Sequence, residues 1–322
     1  MRRSLALFAT TLLVCPLLMS LSPHLEKTIP LPDGVRVQST VISPAGDFLA
    51  AASGDNKVRL WKVASGEWFR TLDLGGQDIG DICFSKDGRY LALGGGKGLV
   101  RAWELSSATL KLEFTSSNSI NRLAFPPDAT LLAAAPLEGA VEVWDLAAGK
   151  QIARMKAPFS GTSALAFSPD GHWLATADGD TAIRVYDART GALRSSNEDF
   201  LLEAFTIAYS ADGKSIYTGG ADKTISVLDA NTAKTLRSFP KQKDVLFDLR
   251  VSPNGKLLAA AYFDQNAMSN ISPVEIWDLE TQSPRILDLG PGVAANGGEF
   301  VSDERLLVTS GSEKELKVWS VR

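Results

Sequence analysis

Residues 166–191 read AFSPDGHWLATADGDTAIRVYDARTG, and this stretch decides the fold. An apolar run ends at Phe167. Ser168-Pro169-Asp170-Gly171 is a turn, because proline fixes one φ and glycine admits a positive one. Trp173, Leu174 and Ala175 start a second strand. Asp178-Gly179-Asp180 turns again, and Ile183, Val185 and Tyr186 make a third strand from β-branched and aromatic residues. The unit is therefore strand, turn, strand, turn, strand.

The same unit is written seven times. Aligned on the third-strand aromatic, the anchors are Trp61, Trp103, Trp144, Tyr186, Leu228, Trp277 and Trp319, spaced 42, 41, 42, 42, 49 and 42 residues apart. The first turn repeats in step, as Ser43-Pro44-Ala45-Gly46, Ser85-Lys86-Asp87-Gly88, Pro126-Pro127-Asp128-Ala129, Ser210-Ala211-Asp212-Gly213 and Ser252-Pro253-Asn254-Gly255, with a worn copy at Val301-Ser302-Asp303-Glu304. Two markers sharing one period mean a repeat architecture. A fourth, more polar strand follows each anchor except the last, from Trp68, Lys111, Gln151, Ala192, Lys234 and Arg285. After Trp319 only Ser320-Val321-Arg322 remain. An unpaired edge is a liability, and Lys27–Leu31 has no other partner, so this segment is expected to complete the last unit. Pro30 and Pro32 suit such an outer edge.

These residues resemble the WD40 family, whose blades have four strands over about 40–45 residues. Trp144-Asp145 and Trp277-Asp278 carry the literal dipeptide, and Tyr186-Asp187 and Leu228-Asp229 keep its aspartate. The resemblance covers residues 28–322. It implies an all-β fold, a seven-bladed β-propeller of four-stranded antiparallel blades, closed by the N-terminal strand. The chain departs from the family by lacking any Gly-His pair: His24 and His172 are its only histidines. The family's buried His–Asp–Ser–Trp network cannot form in its usual shape, so cohesion is expected from packed Val, Ile, Leu and Phe. This departure marks a divergent, bacterial-type propeller.

Arg2 and Arg3 precede a run from Leu5 to Leu21 without charge, which reads as a secretory signal peptide. The expected division is residues 1–22 as signal and 23–322 as propeller. The protein is then exported, periplasmic or secreted, with membrane tethering as the alternative if the segment is retained and no membrane span otherwise. Of 322 residues, 45% are hydrophobic and 22% charged, with a net charge of −4 and scattered basic residues. Nothing resembles the basic footprint of a nucleic-acid binder. Cys83 is left without an intrachain disulfide partner once Cys15 is removed.

Chemistry-bearing motifs are scarce. Two histidines cannot build a hydrolytic metal cluster, and neither a Gly-x-Ser-x-Gly elbow nor a His-Glu-x-x-His helix occurs. Gly94-Gly95-Gly96-Lys97-Gly98 lacks the Ser or Thr of a phosphate loop and reads as a hairpin. No enzyme activity, cofactor or metal is expected. The function expected is a monomeric, non-catalytic scaffold that binds an unidentified protein or peptide through the loop face. The alternative is a small-ligand or enzymatic propeller using the central channel. Candidate contacts lie in the enlarged loop of unit six (Phe263, Asp264, Gln265, Asn266, Met268 and Asn270) and early in the first strands, at the channel mouth (Gln38, Asp81, Asn121, Arg122, Asp248 and Asn296).

Overall fold

A computed structural model describes residues 24–30, 37–156, 161–263, 274–287, 295–303, 305–311 and 315–321. Residues 1–22, expected as a signal segment, and the candidates Asp264, Gln265, Asn266, Met268 and Asn270 lie outside the described residues. Those described form 28 strands in seven antiparallel four-stranded sheets. The blades occupy residues 37–73, 79–115, 120–155, 162–197, 204–238, 245–287 and 295–321. Each innermost strand packs on the next, and that of blade 7 packs on that of blade 1, so the blades form a ring. The outer strand of blade 7 is His24–Pro30, antiparallel to Glu315–Val321, and the Arg305 guanidinium pairs with Glu26 across this joint.

Within a blade, the anchor sits opposite an aliphatic residue of the second strand: Leu49 faces Trp61, Leu174 faces Tyr186 and Leu258 faces Trp277. Second strands are buried on both faces because a neighbouring blade covers each side, so their sequences are nearly continuous apolar runs. Blades converge toward the axis, and the space there is filled by small residues. Ala50, Ala51, Ala52, Ala133, Ala134 and Ala135 are all fully buried. Where bulk returns, aromatics stack, as Phe114 does on Trp144 with centroids 4.1 Å apart and Phe239 on Trp277 at 5.1 Å. Leu228 takes an aromatic's place without exposure, packed with Tyr209 and Ile216.

The repeated turns have a common mechanism. The Ser168 hydroxyl accepts the Trp173 N–H at 3.0 Å and donates to Asp170 at 2.5 Å, and Ser85, Ser210 and Ser252 do the same. Glycine follows at φ near 70° in five blades, but blade 3 puts Ala129 there at φ 52°. The aspartate after the anchor also serves a turn. Asp187 accepts N–H bonds from Arg189 and Thr190, and Asp145, Asp229 and Asp278 repeat that pattern. This local demand explains why the aspartate survives at Leu228-Asp229, where the aromatic is gone.

The seams are packed mainly with apolar side chains, and two polar nodes add to them, one of which gives Asp178 a role beyond its turn. Asp178 is 1% exposed and accepts from Thr162 at 2.7 Å, Thr176 at 3.1 Å and Arg184 at 2.6 Å, while Arg184 also grips Asp180. In blade 6, Tyr262 donates to Glu275 at 2.8 Å and receives the Trp277 indole N–H at 3.3 Å. A buried carboxylate needs such partners, since ionising it alone in the core is costly.

Candidate functional site

Up-and-down strand order puts the loops between blades, and those between second and third strands, at one end of the ring. The Ser-x-Asp-Gly turns lie at the other. Among the described residues, large exposed apolar side chains divide sharply. Leu137, Leu201, Leu202, Phe247 and Phe263 are at the loop end, and one further residue sits on each outer strand: Leu25, Trp68, Leu110, Ile152, Leu193, Leu236 and Ile286. None lies in the Ser-x-Asp-Gly turns. The outer-strand set is spread evenly round the rim, whereas the loop-end set shares a single surface.

That surface is anchored from below. The Leu137 N–H bonds the Ser119 carbonyl at 2.7 Å, and Thr181 Oγ1 donates to the Phe200 carbonyl at 2.8 Å. Leu201 is 93% exposed, so burial cannot explain it. Exposed Glu138, Glu198 and Asp199 surround these leucines in sequence, and Glu203 accepts a hydrogen bond from Ser163. Gln38 is exposed at the start of the first strand of blade 1, and Asn296 lies on the first strand of blade 7, Ala295–Phe300.

Asp81, Arg122 and Asp248 stand early in the first strands of blades 2, 3 and 6. They project into the channel, as an electrostatic argument shows: Asp81 of blade 2 feels Arg250 of blade 6, and Asp248 of blade 6 feels Arg122 of blade 3. Those blades are not neighbours, so only a shared lumen brings the groups together. Burial pushes the Asp81 carboxyl up to about 6, against the pull of Arg122 and Arg250 and the hydrogen bond from the Leu123 N–H at 2.7 Å. Asp248 and Glu299 are also raised, chiefly by burial. The Arg250 guanidinium pairs with Asp248 and lies 3.7 Å from Glu299; 41% of its side chain still meets channel water. Cys83, beside Asp81, has its thiol raised by burial first, which makes it a poor nucleophile. Asn121 points away from the lumen and bonds the Thr162 carbonyl of blade 4 at 2.8 Å.

Arg250 and Glu299 are further channel charges, beyond those expected from the sequence. Both stand two residues before the turn, a position held elsewhere by Val41, Cys83, Ala124, Ala166 and Ala208. Charge where the other copies are apolar was the available signal. Among the described residues, no group of three His, Cys, Asp or Glu is arranged to hold a metal ion, and no helix is long and apolar enough to cross a membrane.

Comparison with known proteins bears on the repeat. The WD40 model (WD domain, G-beta repeat) matches residues 23–62, 149–187 and 204–229. The chain is 28% identical over 127 residues to periodic tryptophan protein 2 homolog of Schizosaccharomyces pombe, covering 39% of this chain and 15% of that protein. It is 32% identical over 117 residues to WD repeat-containing protein SL1-17 of Schistosoma mansoni, covering 35% and 38%. It is 29% identical over 109 residues to target of rapamycin complex subunit wat1 of S. pombe, covering 33% and 34%. The matches thus span well under half of each relative's length.

Proposed function

We propose that this propeller of WD40-type repeats is a non-catalytic scaffold that holds a protein partner against its loop face. The observation that carries the reading is the set Leu137, Leu201, Leu202, Phe247 and Phe263, exposed at the loop end, whereas the other large exposed apolar side chains among the described residues stand one to each outer strand, round the rim. Exposed apolar groups clustered on one surface mark interaction sites. A rigid ring also lowers the ordering cost of association. One relative's name, target of rapamycin complex subunit wat1, describes a subunit of a protein complex, which supports the same reading. Gln38, Asn296 and the segment Phe263–Asn270 belong to this contact surface, and the uncharged run behind Arg2 and Arg3 exports the protein.

The test compares two triple variants as bait in the native host. Leu137→Ser/Leu201→Ser/Leu202→Ser strips the loop face; Trp68→Ser/Leu193→Ser/Leu236→Ser strips the rim. The loop-face variant is expected to lose the captured partner while the rim variant retains it. Equal capture by both, with both folded, would overturn the assignment.

A further inference from the structure

The seam between blades 6 and 7 differs from the other six. Its innermost strands, Val245–Val251 and Ala295–Phe300, approach each other less closely than any other neighbouring pair. One residue accounts for this. Counted back from the first turn, the third position holds Ile82, Leu123, Leu165, Ile207 and Leu249 in blades 2 to 6 and Thr40 in blade 1, but Gly298 in blade 7. The register keeps these positions equivalent: Ile82 faces Leu93, Leu249 faces Ala260 and Gly298 faces Val308 across the same hairpin. The aliphatic residues here belong to the core shared with the preceding blade, Ile82 with Ala50 and Ala52, Leu123 with Ala92, and Ile207 with Ala175 and Ala177. Small residues on the second strand of one blade are thus met by a large one on the first strand of the next. Blade 6 presents the same small residues, Ala259 and Ala261, and blade 7 meets them with a glycine.

A cavity of about 30 Å³ results, lined by Gly298, Ala259, Ala261, Val274, Leu306 and Val308. This is room for about two waters, but apolar walls offer water few hydrogen bonds. An aliphatic group of the same size regains the dispersion contacts that the glycine gives up. Asp248 and Arg250 also border the cavity, and they pair with each other. An ion entering there has to compete with that pair, so the guest that fits is uncharged. Phe247 fixes its source. It borders the cavity and is one of the five apolar side chains exposed at the loop end. The cavity therefore reaches the loop face, where a side chain laid across Phe247 can enter it.

We propose that this cavity is a socket for one branched aliphatic side chain, Val, Leu or Ile, of the partner segment held on the loop face. The inference rests on the loop-face reading, which supplies the segment; the socket supplies its anchor. Interfaces draw most of their energy from a few such buried anchors.

The experiment selects random 12-residue peptides displayed on phage against the full chain, with Gly298→Leu as the filled counterpart. A Cβ at Gly298 stands 3.7 Å from both Leu306 and Val308 and 3.3 Å from the Leu307 carbonyl oxygen, and the backbone is outside the left-handed region. Selected peptides should share a Val, Leu or Ile position whose replacement by alanine weakens binding about tenfold or more. Gly298→Leu should weaken the unaltered peptide by a similar factor. The two changes together should cost no more than either alone, as residues in direct contact require. If Gly298→Leu does not fold, Gly298→Ala carries the test, with a loss of about threefold or more. Binding to folded Gly298→Leu as tight as to the parent, two losses that multiply, or a selection yielding no peptide that tells the two proteins apart would each overturn the socket. Leu137→Ser/Leu201→Ser/Leu202→Ser separates the two readings. Peptides that this variant loses and Gly298→Leu keeps leave the loop face standing and refute the socket. The reverse leaves the socket standing and refutes the role of the loop-face leucines.

Discussion

Replacing Asp81 by Asn should stabilise the protein at neutral pH and do so far less in mild acid. Folding raises the Asp81 carboxyl to about 6, from an unfolded value of about 3.9. The sign follows from linkage. A group raised in the folded state is more easily ionised when unfolded, so its ionisation opposes folding. The penalty is absent below about pH 4, grows between pH 4 and 6, and is constant above. Two units at about 1.4 kcal/mol each set it near 3 kcal/mol, an upper figure because channel water reaches the carboxylate. The groups facing Asp81 are Arg122, Arg250, Cys83 and the N–H groups of Leu123 and Ile82, and the attraction of both arginines is already contained in the shift. An asparagine oxygen still accepts the Leu123 N–H. Urea unfolding from pH 4.5 to 7.5 is the assay. D81N should gain about 1–3 kcal/mol at pH 7.5 and less than about 1 kcal/mol at pH 4.5. An equal loss at both ends would refute the reasoning, because it would show the charged carboxylate to be a net support of the ring.

Other perturbations follow from the same geometry. Asp178→Ala strands the Thr162 and Thr176 hydroxyls and one arm of Arg184 in a buried site, and chemical denaturation should register a loss of about 3–5 kcal/mol. Ala129→Gly relieves a left-handed backbone at φ 52° and should add about 0.5–1 kcal/mol to stability by the same measurement. Gly80→Ala would put a Cβ 2.1 Å from the Ile120 carbonyl oxygen, where the inner strands of blades 2 and 3 meet; a fall in melting temperature equivalent to about 2–3 kcal/mol is expected.

The ring was legible because its markers are local and repeated. A serine that bridges its own turn recurs in five of the seven blades, and an anchor returns at spacings of 41 to 49 residues, so the period shows through even where Pro126 and Val301 replace the serine. The signals that failed were long-range. Asp178 looks like a hairpin residue beside Gly179, and its burial depends on Thr162 and Arg184, which reach it from other strands. Arg250 and Glu299 were invisible as a pair because they lie 49 positions apart and meet only where blade 6 adjoins blade 7. Asp81 and Asp248 were recognised as channel residues, but their coupling to Arg250 and Arg122 was not legible, since the sequence does not show which blades face one another across the lumen. Leu201 and Leu202 were passed over because an apolar pair in a loop has no periodicity to mark it, yet their flanking acids, Glu198, Asp199 and Glu203, already argued against burial.

The most direct test of the scaffold reading is hydrogen–deuterium exchange on the propeller with its captured partner bound. The account predicts protection in the loops at residues 136–139 and 198–204 and around Phe263, with the Ser-x-Asp-Gly turns and outer strands unchanged. Protection confined to those turns or to the outer strands would contradict it.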